Sequence, residues 1–306
     1  MLVTDDDAPH WPRAVGAGPV VALGKLVADQ VLSLSRPLVI GDQQRVSRTV
    51  VPGGAPANVT ANLARLGVPC RLVGWAGADP IADELLTGLS ARGIEVAVVR
   101  RGRLPMTTVL VHEDAERTLL ADRGDGGLLA DDVDPRWFAN AAVLHLDGFD
   151  LLPGRFPSAL IAAASLARAA GVRVSADVAA AARIEGFGVE PYRELLAGLR
   201  SDVLFCNAAE ATVLGLAEEL PDWAPSLVLV HAGASPTRVV TRLGAWSVPV
   251  EPLPPQRVRD TTGCGDAFAA GVLAGWRAGS PVLVAVQGGH AAAAVVAGVI
   301  GAQPPE

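Results

Sequence analysis

A three-layer α/β/α core on a mostly parallel central sheet, with a small β-sheet appended as a lid, is the fold class this sequence predicts. Three observations carry it. Short apolar, β-branched runs alternate with amphipathic segments along most of the 306 residues, the order that builds a parallel sheet with helices on both faces. Half of the residues are hydrophobic but only 4% are aromatic, so Ala, Val and Leu must pack both faces of that sheet. Two strand-rich stretches interrupt the alternation, and they supply the lid.

The elements follow in order. Residues 1–18 are acidic and punctuated by Pro and Gly; they read as a flexible leader, because a secretory signal would be basic and then apolar. The domain proper, 19–306, opens with Pro19-Val-Val-Ala-Leu-Gly24, a buried first strand. Residues 30–52 carry short strand-like pieces (VLSLS, LVIG, RTVVP) assigned to the lid. Pro56 to Leu66 then sets Val59, Leu63 and Leu66 on one helical face and stops at Gly67, a favoured terminator. Arg71 to Gly74 is strand-like and Ile81 to Arg92 helical. Residues 96–121, with pieces at Val96 to Arg101, Thr107 to His112 and Arg117 to Ala121, complete the lid. From Ala142 the alternation resumes: strands at 142–146, 173–176, 202–206 and 227–231, helices at 158–170, 192–199 and 208–214, and mostly helix from Asp266 onward.

Composition excludes several classes. The formal charge is −7 and no Lys/Arg cluster stands out, so a nucleic-acid surface has no support. Ala291 to Ala302 is the longest apolar stretch near the C-terminus, about half of the ~20 residues that spanning a bilayer requires; no membrane partner is expected. Cys70, Cys206 and Cys264 are odd in number and lack C-x-x-C spacing, which argues against a disulfide framework or zinc site and for a reducing cytoplasm.

The most informative segment runs from Val258 to Trp276. Gly263, Cys264 and Gly265 let the backbone turn tightly just before a helix, aiming N–H groups and the positive dipole end at one point. That makes an anion hole for a phosphoryl group. Asp266 at its mouth can take the proton of an attacking hydroxyl, the alternative being that it only caps the helix.

Asp260-Thr-Thr-Gly-Cys-Gly-Asp-Ala-Phe268 resembles the C-terminal signature D-T-T-G-A-G-D-x-F of the ribokinase family, also called the phosphofructokinase-B (PfkB) family of carbohydrate kinases. Gly53-Gly-Ala-Pro-Ala-Asn58 and its continuation to Gly67 resemble the family's N-terminal G-G-x-x-x-N signature, with Thr60 in place of the usual Ala. Two ordered signatures are far more specific than one. The resemblance implies a ribokinase-like fold and ATP-dependent phosphoryl transfer to a sugar or sugar-like hydroxyl, with Asp266 as base.

It also implies site residues. Asp29, Gly53, Gly54 and Asn58 would bind the substrate, joined by Asp147 and by Arg117, for which a turn-forming Asp and a solvated hairpin charge are the alternatives. Asn207 and Glu210, in an N-x-x-E element, would hold Mg²⁺ through water near the phosphates of ATP. Gly233, Thr262 and His290 would lie on the nucleotide side, and Asp260 with Thr262 is compatible with the K⁺ site of some relatives. In some relatives the lid pairs two subunits, which makes a homodimer the corresponding expectation.

The chain departs from the family at His231-Ala-Gly-Ala-Ser-Pro236, where relatives carry Thr-x-Gly-x-x-Gly and only Gly233 is retained. Cys264 replaces an Ala, and the helix N-terminus is expected to lower its thiol pKa and make it reactive. Gly24-Lys-Leu-Val-Ala-Asp29 lacks the G-x-G-x-x-G of a nicotinamide dehydrogenase. Two other readings stay open: a nucleoside kinase of the same fold, which the scarcity of aromatics disfavours, and a non-catalytic sugar or nucleotide sensor, which the altered turn alone supports.

Overall fold

The computed structural model describes residues 8–112 and 117–303, the side chains of Arg117 and Pro255 excepted. The N-terminal part of the leader, residues 1–7, lies outside it. Strand β1 (Val20–Lys25) is buried at every position because it is interior to a nine-stranded sheet, flanked in parallel by β4 (Cys70–Ala76) and β8 (Val143–Asp147). A strand covered on both faces has no polar side to show, which is why it reads as a continuous apolar run.

The sheet extends on one side from β4 to β5 (Glu95–Arg100). On the other it runs from β8 through β9 (Arg173–Asp177), β10 (Val203–Asn207) and β11 (Leu227–Ala232) to the antiparallel β12 (Ser235–Thr241) and β13 (Gly244–Val248). Helices α2 (Pro80–Ala91), α3 (Pro157–Ala169), α4 (Ala181–Phe187), α5 (Val189–Leu199) and α6 (Ala208–Leu214) lie between its strands in the chain. Helices α1 (Ala55–Arg65), α7 (Cys264–Arg277) and α8 (Val282–Ala297) bury their inner sides against one face; α1 packs on α7, and α7 on α8.

A separate four-stranded sheet has the order β3-β2-β6-β7, formed by β2 (Val27–Leu34), β3 (Val46–Gly53), β6 (Met106–Val111) and β7 (Arg117–Asp122). Two expectations need correction here. Val96 to Arg101 was assigned to this sheet, but β5 pairs in parallel with β4 in the main one. Helix α2 provides the crossover between them, and Val96 and Val98 pack on one core cluster while Ala97 and Val99 pack on the other. An edge strand covered on both faces belongs to the core. The LVIG piece forms no strand, and Ile40 is fully exposed.

The leader reading also fails for residues 8–18. Trp11 stacks on Trp276 of α7 at 5.0 Å and donates its indole N–H to the Ser280 carbonyl at 2.7 Å. The Trp276 indole N–H bonds the Arg13 carbonyl at 3.1 Å, and Arg277 grips the carbonyls of Ala17 and Gly18. This segment is a strap across α7, secured by aromatic area and backbone bonds that an acidic, Pro-punctuated composition does not disclose.

Candidate active site

The parallel strands end on one side, and residues at or next to the ends of six of them form a row: Trp75 on β4, Lys25 on β1, Asp147 on β8, Asp177 on β9, Asn207 on β10 and, registered with Asn207, His231 on β11. Crevices at the carboxyl ends of such strands are where open α/β sheets bind ligands. Helix α7 points its N-terminus at this row. Its Gly263 takes φ +74°, and a Cβ there would collide with Ala302; glycine is required by both conformation and space.

The N–H groups of Gly263 and Gly265 carry no protein acceptor among the described residues, whereas that of Cys264 bonds the Thr261 carbonyl at 3.2 Å. Two of the three expected donors are therefore left without a protein acceptor among the described residues, and the third closes the turn. Asp260 clasps this loop: its carboxyl accepts from Thr262 N–H at 2.7 Å and Gly301 N–H at 2.6 Å. These bonds tie the Asp260 carboxyl to the backbone on both sides of the loop.

Asp266 lies one residue beyond Gly265, and its Oδ2 accepts a 2.8 Å hydrogen bond from Asn58 Nδ2. Gln303 Nε2 bonds Asn58 Oδ1 at 3.0 Å. Asn58, expected among the substrate ligands, thus holds the Asp266 carboxylate through Nδ2 and is itself held by Gln303 through Oδ1. Burial drives the Asp266 pKa well above the ordinary value; the Asn58 hydrogen bond opposes this, and the charges of Asp177, Asp147 and Asp29 reinforce it. A carboxylate made more basic by its surroundings is suited to accept a proton.

Asp29 comes from β2, beside Gly53 of β3, where a Cβ would run into the Asp29 carboxyl. Gly54 enters α1 at φ +89°, turned against the Lys25 carbonyl. Asp29 has no hydrogen bond among the described residues, and burial pushes it up to about 6. The folded protein binds this proton more tightly than the unfolded chain. Its stabilising contribution is complete below the unfolded value of 3.8 and lost as pH rises through about 6. Asp29→Asn should therefore stabilise the fold by on the order of 2–3 kcal/mol at about pH 8, a gain that vanishes near pH 4. Urea denaturation at both pH values checks this; equal midpoints at the higher pH would mean the carboxylate is not penalised.

Asp147 accepts from Phe149 N–H at 2.9 Å, so the turn-forming role holds, and it also stands 3.8 Å from Lys25 Nζ. The Arg117 side chain lies outside the described residues. Sequence reasoning missed Lys25, which pairs with the fully buried Asp150, and Asp177, which is bonded to His145 at 3.0 Å. The available signal was position: each stands at, or just after, the end of a parallel strand.

On the other side of α7 lies a mainly apolar cleft of about 630 Å³, reached by Asn207, His231, Gly233, Thr237, Phe268 and His290. Its size suits a nucleotide. His290 is held by Thr237 at 2.7 Å and tilts over Phe268 at 5.6 Å. His231 also contacts Phe268 and faces Gly265, with Nε2 3.6 Å from where a Cβ would stand. Desolvation lowers the pKa of both histidines and favours their neutral forms.

Asn207 and Glu210 form a reciprocal cap at the start of α6: Glu210 accepts from Asn207 N–H at 2.8 Å and Nδ2 at 2.6 Å, and Asn207 Oδ1 accepts from Glu210 N–H at 3.0 Å. Burial pushes Glu210 up to about 7. No group of three or more His, Cys, Asp or Glu among the described residues could hold a metal ion directly; this oxygen pair suits one held through water. Cys264 is a correction. The thiol pKa, expected to be lowered, is instead pushed up to about 11 by burial and by the charges of Asp260 and Asp266.

Residues 20–306 match the model of the pfkB family carbohydrate kinases. An ATP-dependent ribose-1-phosphate kinase of Halopiger xanaduensis is 31% identical over 293 residues, covering 93% of each chain. A fructokinase of Klebsiella pneumoniae is 30% identical over 240 residues, 73% of this chain and 76% of that one. Among solved structures, adenosine kinase from Sinorhizobium meliloti superimposes with a TM-score of 0.79 at 23% identity, over 94% of this chain and 96% of that one. Ribokinase from Thermotoga maritima does so with 0.76 at 22%, over 94% and 95%. With both signatures placed at one sheet end and the match spanning the whole domain, this chain belongs to the pfkB family of carbohydrate kinases, with the ribokinase-like fold.

Proposed function

We propose that this kinase transfers the γ-phosphoryl group of ATP to a hydroxyl of a sugar or sugar-like acceptor, with Asp266 as general base. The observation that carries the reading is the placement of the Asp266 carboxylate, held by Asn58, beside the N–H groups of Gly263 and Gly265, which have no protein acceptor among the described residues. Asp266 takes the acceptor O–H proton as that oxygen bonds to the γ-phosphorus and the bond to the β–γ bridging oxygen breaks, releasing ADP. The two N–H groups and the α7 dipole stabilise the charge on the travelling phosphoryl.

The apolar cleft with His231 and His290 would take the nucleotide, and Asp29 and the Gly53-Gly54 backbone the acceptor. Mg²⁺ bound with ATP would offset phosphate charge, held through water by Asn207 and Glu210. The small sheet would act as a lid that keeps water, the competing acceptor, from the phosphoryl group. Leu119 and Leu120, neighbours on the edge strand β7, are 63% and 55% exposed, so both faces of that strand are uncovered. This suits one face closing over the acceptor and the other meeting a second copy in a homodimer. Three unpaired cysteines fit a reducing cytoplasm, and no helix among the described residues is long and apolar enough to cross a membrane.

ADP release measured with ATP, Mg²⁺ and a panel of sugars, sugar phosphates, sugar acids and nucleosides tests the reading. Turnover is expected with sugar-type acceptors, consistent with relatives that act on ribose 1-phosphate and fructose. Turnover confined to nucleosides would move the assignment to a nucleoside kinase.

A further inference from the structure

Beyond Asp147, away from α7, the strand ends carry a concentration of positive charge that the phosphoryl-transfer step does not use. Arg155 follows the short turn after β8, with its guanidinium 5.1 Å from the centre of the Phe149 ring; Lys25 Nζ lies 5.2 Å from the same ring. Arg123 stands where β7 returns to the core, its Nη1 3.8 Å from the position of a Cβ on Gly154. Arg183 comes from α4, after β9. Arg123 and Arg155 share a cleft of about 550 Å³ with Trp75, Gly124 and Gly154, and with Arg101 and Asp125, which are bonded to Asp132 and Arg103.

These arginines lack a directly bonded acid, unlike their neighbours. Arg101 is clamped by Asp132, and Arg103 by Asp122 and Asp125. No hydrogen bond or ion pair of the Arg123, Arg155 or Arg183 side chain exists among the described residues. The acids whose charges reach Arg155 lie toward Lys25: Asp150 pairs with it through one oxygen, its Oδ2 having no hydrogen-bond partner, and Asp147 accepts from the Phe149 N–H and faces the same lysine. Arg155 is half-buried; burial disfavours its protonated form, the charges of Asp150 and Asp147 oppose this in part, and those of Arg123 and Arg183 add to it. Gathering like charges without a partner is unfavourable, and a planar guanidinium fork matches the oxygens of a phosphate or carboxylate.

We propose that Arg123 and Arg155, supported by Arg183, form a subsite for an anionic substituent of the acceptor, so that the preferred acceptor is a sugar phosphate or a sugar acid rather than a neutral sugar. The inference rests on the acceptor reading above and names its substrate class. Asp147 joins the two regions: its charge acts on Asp266 on one side and on Arg155 on the other. An acceptor lying over Asp147 therefore offers a hydroxyl to Asp266 while its anionic end reaches the arginines.

The test pairs acceptors that differ only in the anion: ribose against ribose 1-phosphate and ribose 5-phosphate, fructose against fructose 6-phosphate, and glucose against gluconate. Each is measured for turnover with ATP and Mg²⁺ and, separately, for binding by calorimetry. Wild-type kcat/KM is expected to favour an anionic member by at least about 10²-fold, and Arg155→Met and the exposed Arg123→Ala each to shrink that ratio by about 10–10²-fold, chiefly through KM. The phosphate and carboxylate arms separate the two sources of charge. Equal use of neutral and anionic members, or an unchanged ratio in both variants, overturns the subsite while leaving the kinase reading intact. Anion-dependent binding lost in the variants, with no turnover on any acceptor, keeps the subsite and sinks the acceptor reading. Neither binding nor turnover removes both.

Discussion

Asp266→Asn is expected to lower kcat by about 10²–10⁴-fold and at the same time to raise stability at neutral pH. Asparagine keeps the size of the side chain and an oxygen that can accept the Asn58 Nδ2 hydrogen bond. What it loses is the ability to take a proton. Burial and three neighbouring carboxylates hold the Asp266 pKa well above its ordinary value. Its proton is thus bound more tightly in the folded state; the associated stability is present below the unfolded pKa and lost as pH rises through the folded one. Above the unfolded pKa the burial of Asp266 therefore costs stability, and asparagine removes that cost. A residue that only capped α7 would leave turnover near wild type and, because asparagine caps a helix as well as aspartate does, would change stability little. The acidic limb of the kcat profile should vanish in the variant. Activity within about tenfold of wild type would return Asp266 to a structural role.

The parts of this site that were legible in the sequence are those written in one local stretch. Gly263, Gly265 and Asp266 share a turn and the first residues of a helix, so their spacing alone predicts outward N–H groups beside a carboxylate. Even there the local view overcounted, since Cys264 spends its N–H on Thr261. Asn58 was legible through the N-terminal signature, as a substrate ligand, but not as the holder of Asp266, 208 positions away. Lys25 and Asp177 were missed because they join the site only through parallel register: Lys25 pairs with Trp75, and Asp147 with Asp177. Strand ends drawn one residue longer would have exposed both.

The fold was read well where periodicity was clean, and poorly where two meanings shared one pattern. Val96 to Val99 is apolar on both faces, which describes a core edge strand as well as a lid strand. The crossover through α2 was the feature that separated them. The hairpin of β12 and β13 was hidden by Pro236, a residue that weakens any strand assignment and stands here near the start of β12, before the ladder to β13 begins.

Gly263→Ala carries the second large expected effect, and Gly265→Ala is its control. At Gly263 the backbone is left-handed, with φ +74°, and an added Cβ would meet the Cβ of Ala302 and lie 2.7 Å from its Cα. An alanine must either accept a conformation that costs about 1–2 kcal/mol or turn the loop away. It must also displace the C-terminal segment that Asp260 ties down through Gly301. Turning the loop re-aims the N–H groups at the transferred phosphoryl, and losing one such donor typically costs about 10²–10³-fold in kcat. Gly265 lies within α7 and a Cβ there meets only the His231 ring, at 3.6 Å. Alanine should leave that helix as stable as glycine does, or more so by about 0.5–1 kcal/mol. Thermal melts are thus expected to drop for Gly263→Ala and hold or rise for Gly265→Ala, and single-turnover kinetics should place the Gly263→Ala loss in the chemical step, with acceptor affinity retained. A Gly263→Ala enzyme with wild-type kcat would mean that the turn does not aim these amides at the phosphoryl group, and the anion hole would have to be sought elsewhere along the strand ends.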